Sequence, residues 1–272
     1  MTHVMACIDN SQSSLAVCDY AAWASQRLSA PLTLLHVLDK EKYPASADLS
    51  GNIGLGSREH LMEELATLDA QRAKLALEHG QHMLEKARER TVISGAMSPD
   101  LKQRQDDIRL LVIGRVGEDS TRRAQSLGTQ IEAVVRTIHR PILITTSHFR
   151  KPETVMVAFD GSATGHKTVQ MIASSPLCEG LPIHIVMVGK DSEENQNELE
   201  KARATFASSG SLVHAEIRPG EVESVLHAYQ AEQGIDLLVI GAYGHSRIRQ
   251  FLVGSTTTTM LRTSTLPVLL LR

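Results

Sequence analysis

The chain has 272 residues, 42% of them hydrophobic and 3% aromatic, and a formal net charge of −3. This length holds two domains of ordinary size or one large domain, and the slightly acidic balance excludes a protein that binds nucleic acid through a basic surface. Because the three cysteines lie far apart and no apolar run reaches signal-peptide or membrane-spanning length, we expect a cytoplasmic protein that spans no membrane.

In chain order, the first half alternates short apolar strands with longer amphipathic segments. The first strand, Val4–Ile8, leads directly into Asp9 and then Ser11. A loop rich in glycine and serine is expected at 43–56. Further strands are predicted at 31–38, 110–114 and 141–144.

Residues 57–90 form a long, highly charged stretch with helical periodicity. One apolar face is predicted to carry Leu61, Leu65, Leu68, Leu75 and Met83. The second half has only a shorter helical segment at the equivalent place. This helix is therefore a candidate surface for forming a homodimer.

The second half follows the same alternation of strands and helices. Its strands are predicted at 154–159, 183–188, 212–217, 236–241 and 267–271. Its helices are predicted at 164–175, 193–208, 221–233 and 255–264.

Four segments of the first half recur in the second half in the same order, which indicates a duplication. Val4–Ser11 resembles Val155–Ser162, and Leu110–Gly114 resembles Leu237–Gly241. The other matches are 31–38 with 182–188 and the thirteen-residue step from Gly128 to Pro141 with that from Gly254 to Pro267. We predict two domains, 1–148 and 153–272, joined by a polar segment that contains proline.

Uninterrupted Val, Ile and Leu strands separated by helices predict an α/β fold, with two tandem five-stranded parallel sheets of the Rossmann-like kind. Ligands of such sheets bind beyond the carboxyl ends of the strands. Asp160, Val188 and Gly241 all lie at carboxyl ends of predicted strands, so we expect them to meet at one crevice.

The strongest functional motif is Gly241-x-x-Gly244, then nine residues, then Gly254-Ser255. It follows a predicted strand and opens a predicted helix, where free backbone N–H groups and the helix dipole favour a phosphate. The alternative interpretation is an ordinary strand-to-helix connection. Likewise, Asp160 either contacts a ligand or merely stabilises the turn before the next helix.

These residues and spacings resemble the universal stress protein family, over essentially the whole chain. The shared features are Asp at the end of the first strand, the apolar end of the second, and the glycine motif after the fourth. The resemblance implies a fold similar to the adenine nucleotide α-hydrolases. It also implies binding of ATP or AMP, with or without Mg²⁺, and an internal pseudo-dimer in which Ile142–Thr145 pairs with Val268–Leu271.

The resemblance further assigns a set of site residues in the second half. Asp160 and the backbone of Val188 would contact adenine, with Ala158 and Phe159 lining that end. The ribose and phosphates would be held by Ile240, Gly241, Tyr243, Gly244, Gly254, Ser255, Thr256 and Thr257.

The first half departs from the motif. Ten residues, not nine, separate Gly117 from Gly128, and the acidic Glu118 and Asp119 follow Gly117 directly. An anion-binding loop tolerates such changes poorly, so we expect nucleotide in the second half only.

A slow ATPase or autophosphorylating enzyme and a nucleotide-free adaptor remain as competing hypotheses. No catalytic residue is assigned, since His245 is the only candidate general base in the loop 242–253. No metal site is predicted either. His36 and His184 are expected to be packed, hydrogen-bonded side chains, and Cys7 and Cys178 unreactive core residues.

Overall fold

The computed structural model describes residues 2–37, 55–95, 108–115, 134, 135, 137–207, 209–241, 260, 261 and 263–271; for 55–66, 69 and 72 it describes the backbone only. Strands and helices alternate as the sequence predicts, and each boundary lies within a few residues of its predicted position. In chain order the elements are β1 (His3–Cys7), α1 (Ser14–Leu28), β2 (Leu32–Leu35), α2 (Leu55–Ile93), β3 (Ile108–Gly114), β4 (Ile142–Thr145), β5 (Val155–Phe159), α3 (Ala163–Ala173), β6 (Ile183–Val188), α4 (Glu193–Ala204), β7 (Val213–Arg218), α5 (Val222–Gln233), β8 (Leu237–Gly241) and β9 (Val268–Leu271).

All nine of these strands form a single sheet in the order β2-β1-β3-β4-β9-β8-β5-β6-β7. The strands within each half pair in parallel, which confirms the predicted α/β class. The second half supplies the five strands expected. In the described part of the first half there are four, and residues 96–107 between α2 and β3 lie outside it.

The two halves join where β4 pairs with β9. This pairing is antiparallel, with Ile142 opposite Leu270, Leu143 opposite Leu269, and Ile144 opposite Val268. All six side chains are buried. The predicted internal pseudo-dimer is thereby confirmed, and each half covers the sheet edge that the other would expose.

Apolar side chains pack on both faces of the sheet, because successive residues of a strand point to opposite faces. On one face, Val157 and Leu269 pack in the same cluster as Val4 and α1 of the first half. On the other face, Met156 and Ile144 share a second cluster. Both cores therefore run continuously across the junction between the halves.

The connection between the halves is attached to both of them. Tyr20 of α1 packs edge-on against Phe149, with ring centroids 4.7 Å apart, and its hydroxyl accepts a hydrogen bond from the backbone N–H of Arg150 at 3.2 Å. The Arg150 side chain then reaches the second half, where its Nε lies 2.9 Å from Oδ1 of the buried Asp236. The connecting segment is thus fixed by packing and charge.

Two further arginines of the first half donate to backbone carbonyls of the second half. Arg27 Nε donates to Leu177 O at 3.0 Å. Arg115, directly after β3, donates to Ser264 O and, at 2.6 Å, to Leu266 O. Burial lowers the pKa of the Arg115 guanidinium, so this cation depends on carbonyl oxygens in place of water.

No helix within the described residues is both long and apolar enough to cross a bilayer.

Replacing Arg115 by methionine removes both hydrogen bonds to the second half while keeping an apolar stem of similar length. We expect the free energy of unfolding to fall by about 1–3 kcal/mol, because two hydrogen bonds from a charged donor are lost and the Leu266 carbonyl keeps only the Ser264 hydroxyl, at 3.2 Å. Urea denaturation measures this. The matched control is Arg109→Met, since Arg109 donates one hydrogen bond, to Leu28 O, inside the first half. An equal loss in both variants would show that Arg115 contributes nothing special to the junction.

Candidate functional site

The predicted crevice residues of the second half meet at the carboxyl edge of the sheet. Phe159 lies opposite Met187 on β6, so the next residues along, Asp160 and Val188, are neighbours. On the other side of β5, Ala158 lies opposite Ile240, which places Gly241 beside the end of β5. Strand order reverses between β5 and β8, and this is where ligands bind in open α/β sheets.

Asp160 is exposed at this edge and stabilises the turn that leads into α3. Its Oδ1 accepts hydrogen bonds from the backbone N–H of Ser162 at 3.0 Å and from the Ser162 hydroxyl at 2.6 Å. The Ser162 hydroxyl in turn caps α3 by accepting from the Gly165 N–H at 3.0 Å. Turn stabilisation is therefore present, and Asp160 is still exposed at the carboxyl edge of the sheet.

The Asp160 carboxylate can occupy its position because residue 165 is a glycine and has no side chain there. A Cβ built there would lie 2.6 Å from Asp160 Oδ1 and 3.1 Å from the Phe159 ring. Any side chain at this position would push Asp160 or Phe159 aside. Sequence reasoning missed Gly165, although comparing the halves offers a signal, because the equivalent residue of the first half is Ser14.

Gly241 is also required by packing. A Cβ there would lie 2.7 Å from Thr168 Oγ1 and 3.3 Å from Thr164 Cγ2, both on α3. Gly114 holds the equivalent place in the first half, with a built Cβ 3.1 Å from Ser13 Oγ. Close contact between the strand end and the first helix is thus one physical reason for glycine at this position in both halves.

Not every predicted residue presents its side chain to the crevice. Phe159 is buried beneath α3, and its ring meets that of His166 edge-on at 5.0 Å. It lines the strand end through its backbone only, because the alternation along β5 turns its side chain into the core. Ala158, Val188 and Ile240 lie on the opposite face of the sheet, in or against the second core cluster.

The remaining predicted residues follow β8. They lie outside the described part of the chain: Tyr243, Gly244, Gly254, Ser255, Thr256 and Thr257, together with His245. Of the helix predicted at 255–264, the described residues Met260, Leu261 and Thr263 are helical, whereas Ser264 is not.

In the equivalent turn of the first half, the Ser14 hydroxyl lies beside the aspartate. Asp9 Oδ1 accepts from the Ser11 N–H at 3.0 Å and the Ser11 hydroxyl at 2.5 Å, as in the second half. Ser14 stands at the position of Gly165, and its hydroxyl donates to the Asp9 backbone carbonyl at 2.5 Å while also lying 3.0 Å from Asp9 Oδ1. Asp9 is only half-exposed, whereas Asp160 is exposed. The two crevices therefore share a turn and differ in its surroundings.

The histidines singled out in the sequence are hydrogen-bonded. His36, which directly follows β2, bonds through Nδ1 to Ile8 O at 2.9 Å. His184 is buried in β6, with Nδ1 2.8 Å from the Tyr229 hydroxyl. Both expectations of a packed, hydrogen-bonded histidine are confirmed.

Burial also determines the state of the cysteines. It raises the pKa of Cys7 to about 11 and that of Cys178 to about 12. Both thiols are therefore protonated and poorly nucleophilic near neutral pH, as expected of core residues. Within the described ranges, no group of three or more His, Cys, Asp and Glu side chains is placed to hold a metal ion.

Comparison with known proteins identifies relatives over the whole chain. The model of the universal stress protein family matches residues 1–146 and again residues 152–272. A universal stress protein of Synechocystis is 34% identical, with 100% of both chains covered.

Solved structures give further matches. A universal stress protein from Archaeoglobus fulgidus aligns with a TM-score of 0.69 and 17% identity, over 99% of this chain and 96% of its own. A universal stress protein solved in complex with cAMP matches 44% of this chain and 97% of its own, at 24% identity and a TM-score of 0.39. The first of these two shows the same tandem fold.

Replacing Gly241 by alanine tests the packing at the strand end. We expect a loss of about 1–3 kcal/mol in the free energy of unfolding, because the new methyl group would overlap Thr168 Oγ1. Gly189 is the matched control: it also follows a strand at this edge, and a Cβ there would lie 3.5 Å from its nearest neighbour. If Gly241→Ala were no more destabilising than Gly189→Ala in urea denaturation, packing would not explain this glycine.

His184 makes the fold sensitive to acid. Burial, reinforced by the neighbouring His214, lowers its pKa, whereas in the unfolded chain histidine titrates at about 6.5. The unfolded chain therefore takes up a proton first as the pH falls, so the stability that His184 contributes is present above about pH 6.5 and lost below it. We expect His184→Gln to reduce the difference in unfolding free energy between about pH 7.5 and 5.5. The exposed His148, replaced in the same way, should leave that difference unchanged.

Proposed function

The chain belongs to the universal stress protein family, and from this premise we propose that it is a cytoplasmic stress-response protein that binds one adenine nucleotide, in its second half. The ligand is ATP or AMP, with or without Mg²⁺, and its binding acts as a switch of conformation or assembly. The proposed domains are 1–148 and 153–272, of which only the second retains the nucleotide site.

The observation that carries this proposal is the contrast between the two aspartates at the strand ends. Asp160 is exposed, and Gly165 beside it carries no side chain that could contact its carboxylate. Asp9, at the same place in the first half, is only half-exposed and has the Ser14 hydroxyl 3.0 Å from its carboxylate and 2.5 Å from its backbone carbonyl. A carboxylate with fewer internal partners has more capacity left to accept hydrogen bonds from a base.

The loops that follow β8 and β3 also favour the second half as the nucleotide site. In the second half the glycine motif is complete, and the loop carries His245, Arg247 and Arg249 without an acid. In the first half the spacing is one residue longer and Glu118 and Asp119 follow the second glycine. Like charges near a phosphate weaken its binding, so the first half is the poorer site.

A route by which the nucleotide alters conformation follows from Arg115. A ligand shifts a conformational equilibrium only through elements for which its affinity differs between the two states. The proposed phosphate residues Gly254 and Ser255 precede the helical residues Met260 and Leu261. This segment ends at Ser264, whose carbonyl accepts a hydrogen bond from Arg115 of the first half. Movement of the helix would therefore be felt across the junction.

Isothermal titration calorimetry with ATP and AMP tests the proposal, in variants that exchange the residue types at positions 165 and 14. We expect one nucleotide per wild-type chain. Gly165→Ser should lower the affinity by roughly tenfold or more, equivalent to about 1.4 kcal/mol, because the added side chain displaces the Asp160 carboxylate. The matched control, Ser14→Gly, makes the reverse change in the first half and should leave one site of unchanged affinity.

Three outcomes would contradict the proposal: no binding heat with either nucleotide, two equivalent sites per chain, or unchanged affinity in a folded Gly165→Ser variant. Circular dichroism of each variant separates loss of binding from loss of structure.

A further inference from the structure

Helix α2 is attached to the rest of the protein near its C-terminal end. Arg90 donates two hydrogen bonds to Asp19 of α1, Nε to Oδ1 at 3.0 Å and Nη2 to Oδ2 at 2.7 Å. Ala87 and Thr91 are buried against the domain. The side-chain amide of Gln26 on α1 donates to the carbonyls of Ser94 and Gly95, just beyond the end of α2, at 3.0 and 2.9 Å. This end of α2 is firmly held.

The middle of α2 has a different environment. Between residues 67 and 79 the described side chains are exposed except for the half-buried Ala76. Leu68 is 48% exposed, Leu75 64% and Leu77 52%. This segment is about 20 Å long, and an isolated helix without a packed apolar face is only marginally stable in water.

The exposed leucines follow a helical pattern. Leu68 and Leu75 are seven residues apart and share one face, with Gln71 between them. In the sequence, Leu61 and Leu65 continue the same spacing toward the N-terminus. The predicted apolar face is therefore present, and of its described members only Met83 packs against the core.

The surfaces that join the two halves of one chain are not available to cover this face. The edges of β4 and β9 already pair with each other. The second half offers no equivalent long helix, since α4 between β6 and β7 has 12 residues against 39 in α2. Within the described ranges no other element covers this face, so a second chain is the partner to consider.

The charge distribution along α2 indicates which partner fits. Residues 55–70 contain one base and four acids: Arg58, Glu59, Glu63, Glu64 and Asp69. Residues 71–93 contain five bases and three acids: Arg72, Lys74, Lys86, Arg88, Arg90, Glu78, Glu85 and Glu89. Two copies side by side in the same direction would place the acidic segments together. In an antiparallel pair centred on Gln71, residues 55–70 of one copy lie beside residues 72–87 of the other, which contain three bases (Arg72, Lys74 and Lys86) and two acids.

We propose that α2 of one chain packs antiparallel against α2 of a second copy, through the stripe that contains Leu68 and Leu75. Such a contact is two-fold symmetric, so the same surface serves both partners. In this pair, each helix covers the exposed leucines of the other.

Sedimentation velocity of the full chain at micromolar concentrations tests the assembly. We expect wild type to be a dimer and Leu68→Glu/Leu75→Glu to be a monomer that keeps its α/β circular dichroism spectrum, since neither side chain belongs to the described core clusters. Leu212→Glu is the matched control, because Leu212 is an equally exposed leucine, at 63%, in the second half. This variant should remain a dimer. A monomeric wild type, or a double variant that stays dimeric, would overturn the proposal.

Cysteine cross-linking tests the direction of packing. Gln71→Cys lies near the proposed two-fold axis and should form a disulfide between copies. His82→Cys lies on the same face, but in an antiparallel pair its two copies would be roughly 30 Å apart, too far for a disulfide. Cross-linking of both variants would indicate parallel packing and sink the idea. None of these measurements requires nucleotide, so their failure would leave the proposed nucleotide site standing.

Discussion

The antiparallel pairing of β4 with β9 determines the layout of the whole molecule. Within each half the strands are parallel, so one antiparallel contact reverses the direction of one half relative to the other. The carboxyl ends of the two halves therefore face opposite edges of one continuous sheet. The same reversal places Arg115, at the carboxyl end of β3, beside the turn at Ser264–Leu266 that enters β9. The hydrogen bonds between the halves follow from that geometry.

Duplication preserved the scaffold and changed the environment of the crevice. Both halves keep the turn in which aspartate accepts from a serine two residues later, with nearly equal distances. Both keep glycine where the strand end touches the first helix. One difference lies beside the aspartate: Ser14 stands where the second half has Gly165, and its hydroxyl contacts Asp9 at the backbone carbonyl and at Oδ1. A small change at a crowded position thus alters the surroundings of the aspartate while the turn keeps its geometry.

The sequence predicts elements well when their cause is local. Apolar runs marked the strands of both halves, and the repeat together with the family resemblance predicted the junction at β4 and β9. Contacts between distant residues left no such pattern: Arg115 and Ser264 are 149 residues apart, and nothing near either one indicates the other. The burial of Phe159 and the steric role of Gly165 depend on how α3 lies over β5. The leucine face of α2 was visible as periodicity, but periodicity alone does not say whether the face packs inside the domain or outside it.

These contacts also connect the proposed nucleotide site with the proposed assembly surface. The carbonyls of Ser264 and Leu266 hold Arg115, and Gly114 beside it packs closely on Ser13 and Val17 of α1. Two residues after Val17 on α1, Asp19 accepts hydrogen bonds from Arg90 of α2. A series of packed contacts is not itself evidence of energetic coupling. The contacts show which residues could carry a coupling between nucleotide binding and dimer formation. Where such coupling exists, thermodynamic linkage requires each of the two to change the affinity of the other by the same factor. In this fold, one described series of contacts between the Ser264–Leu266 turn and α2 runs through Arg115 and α1.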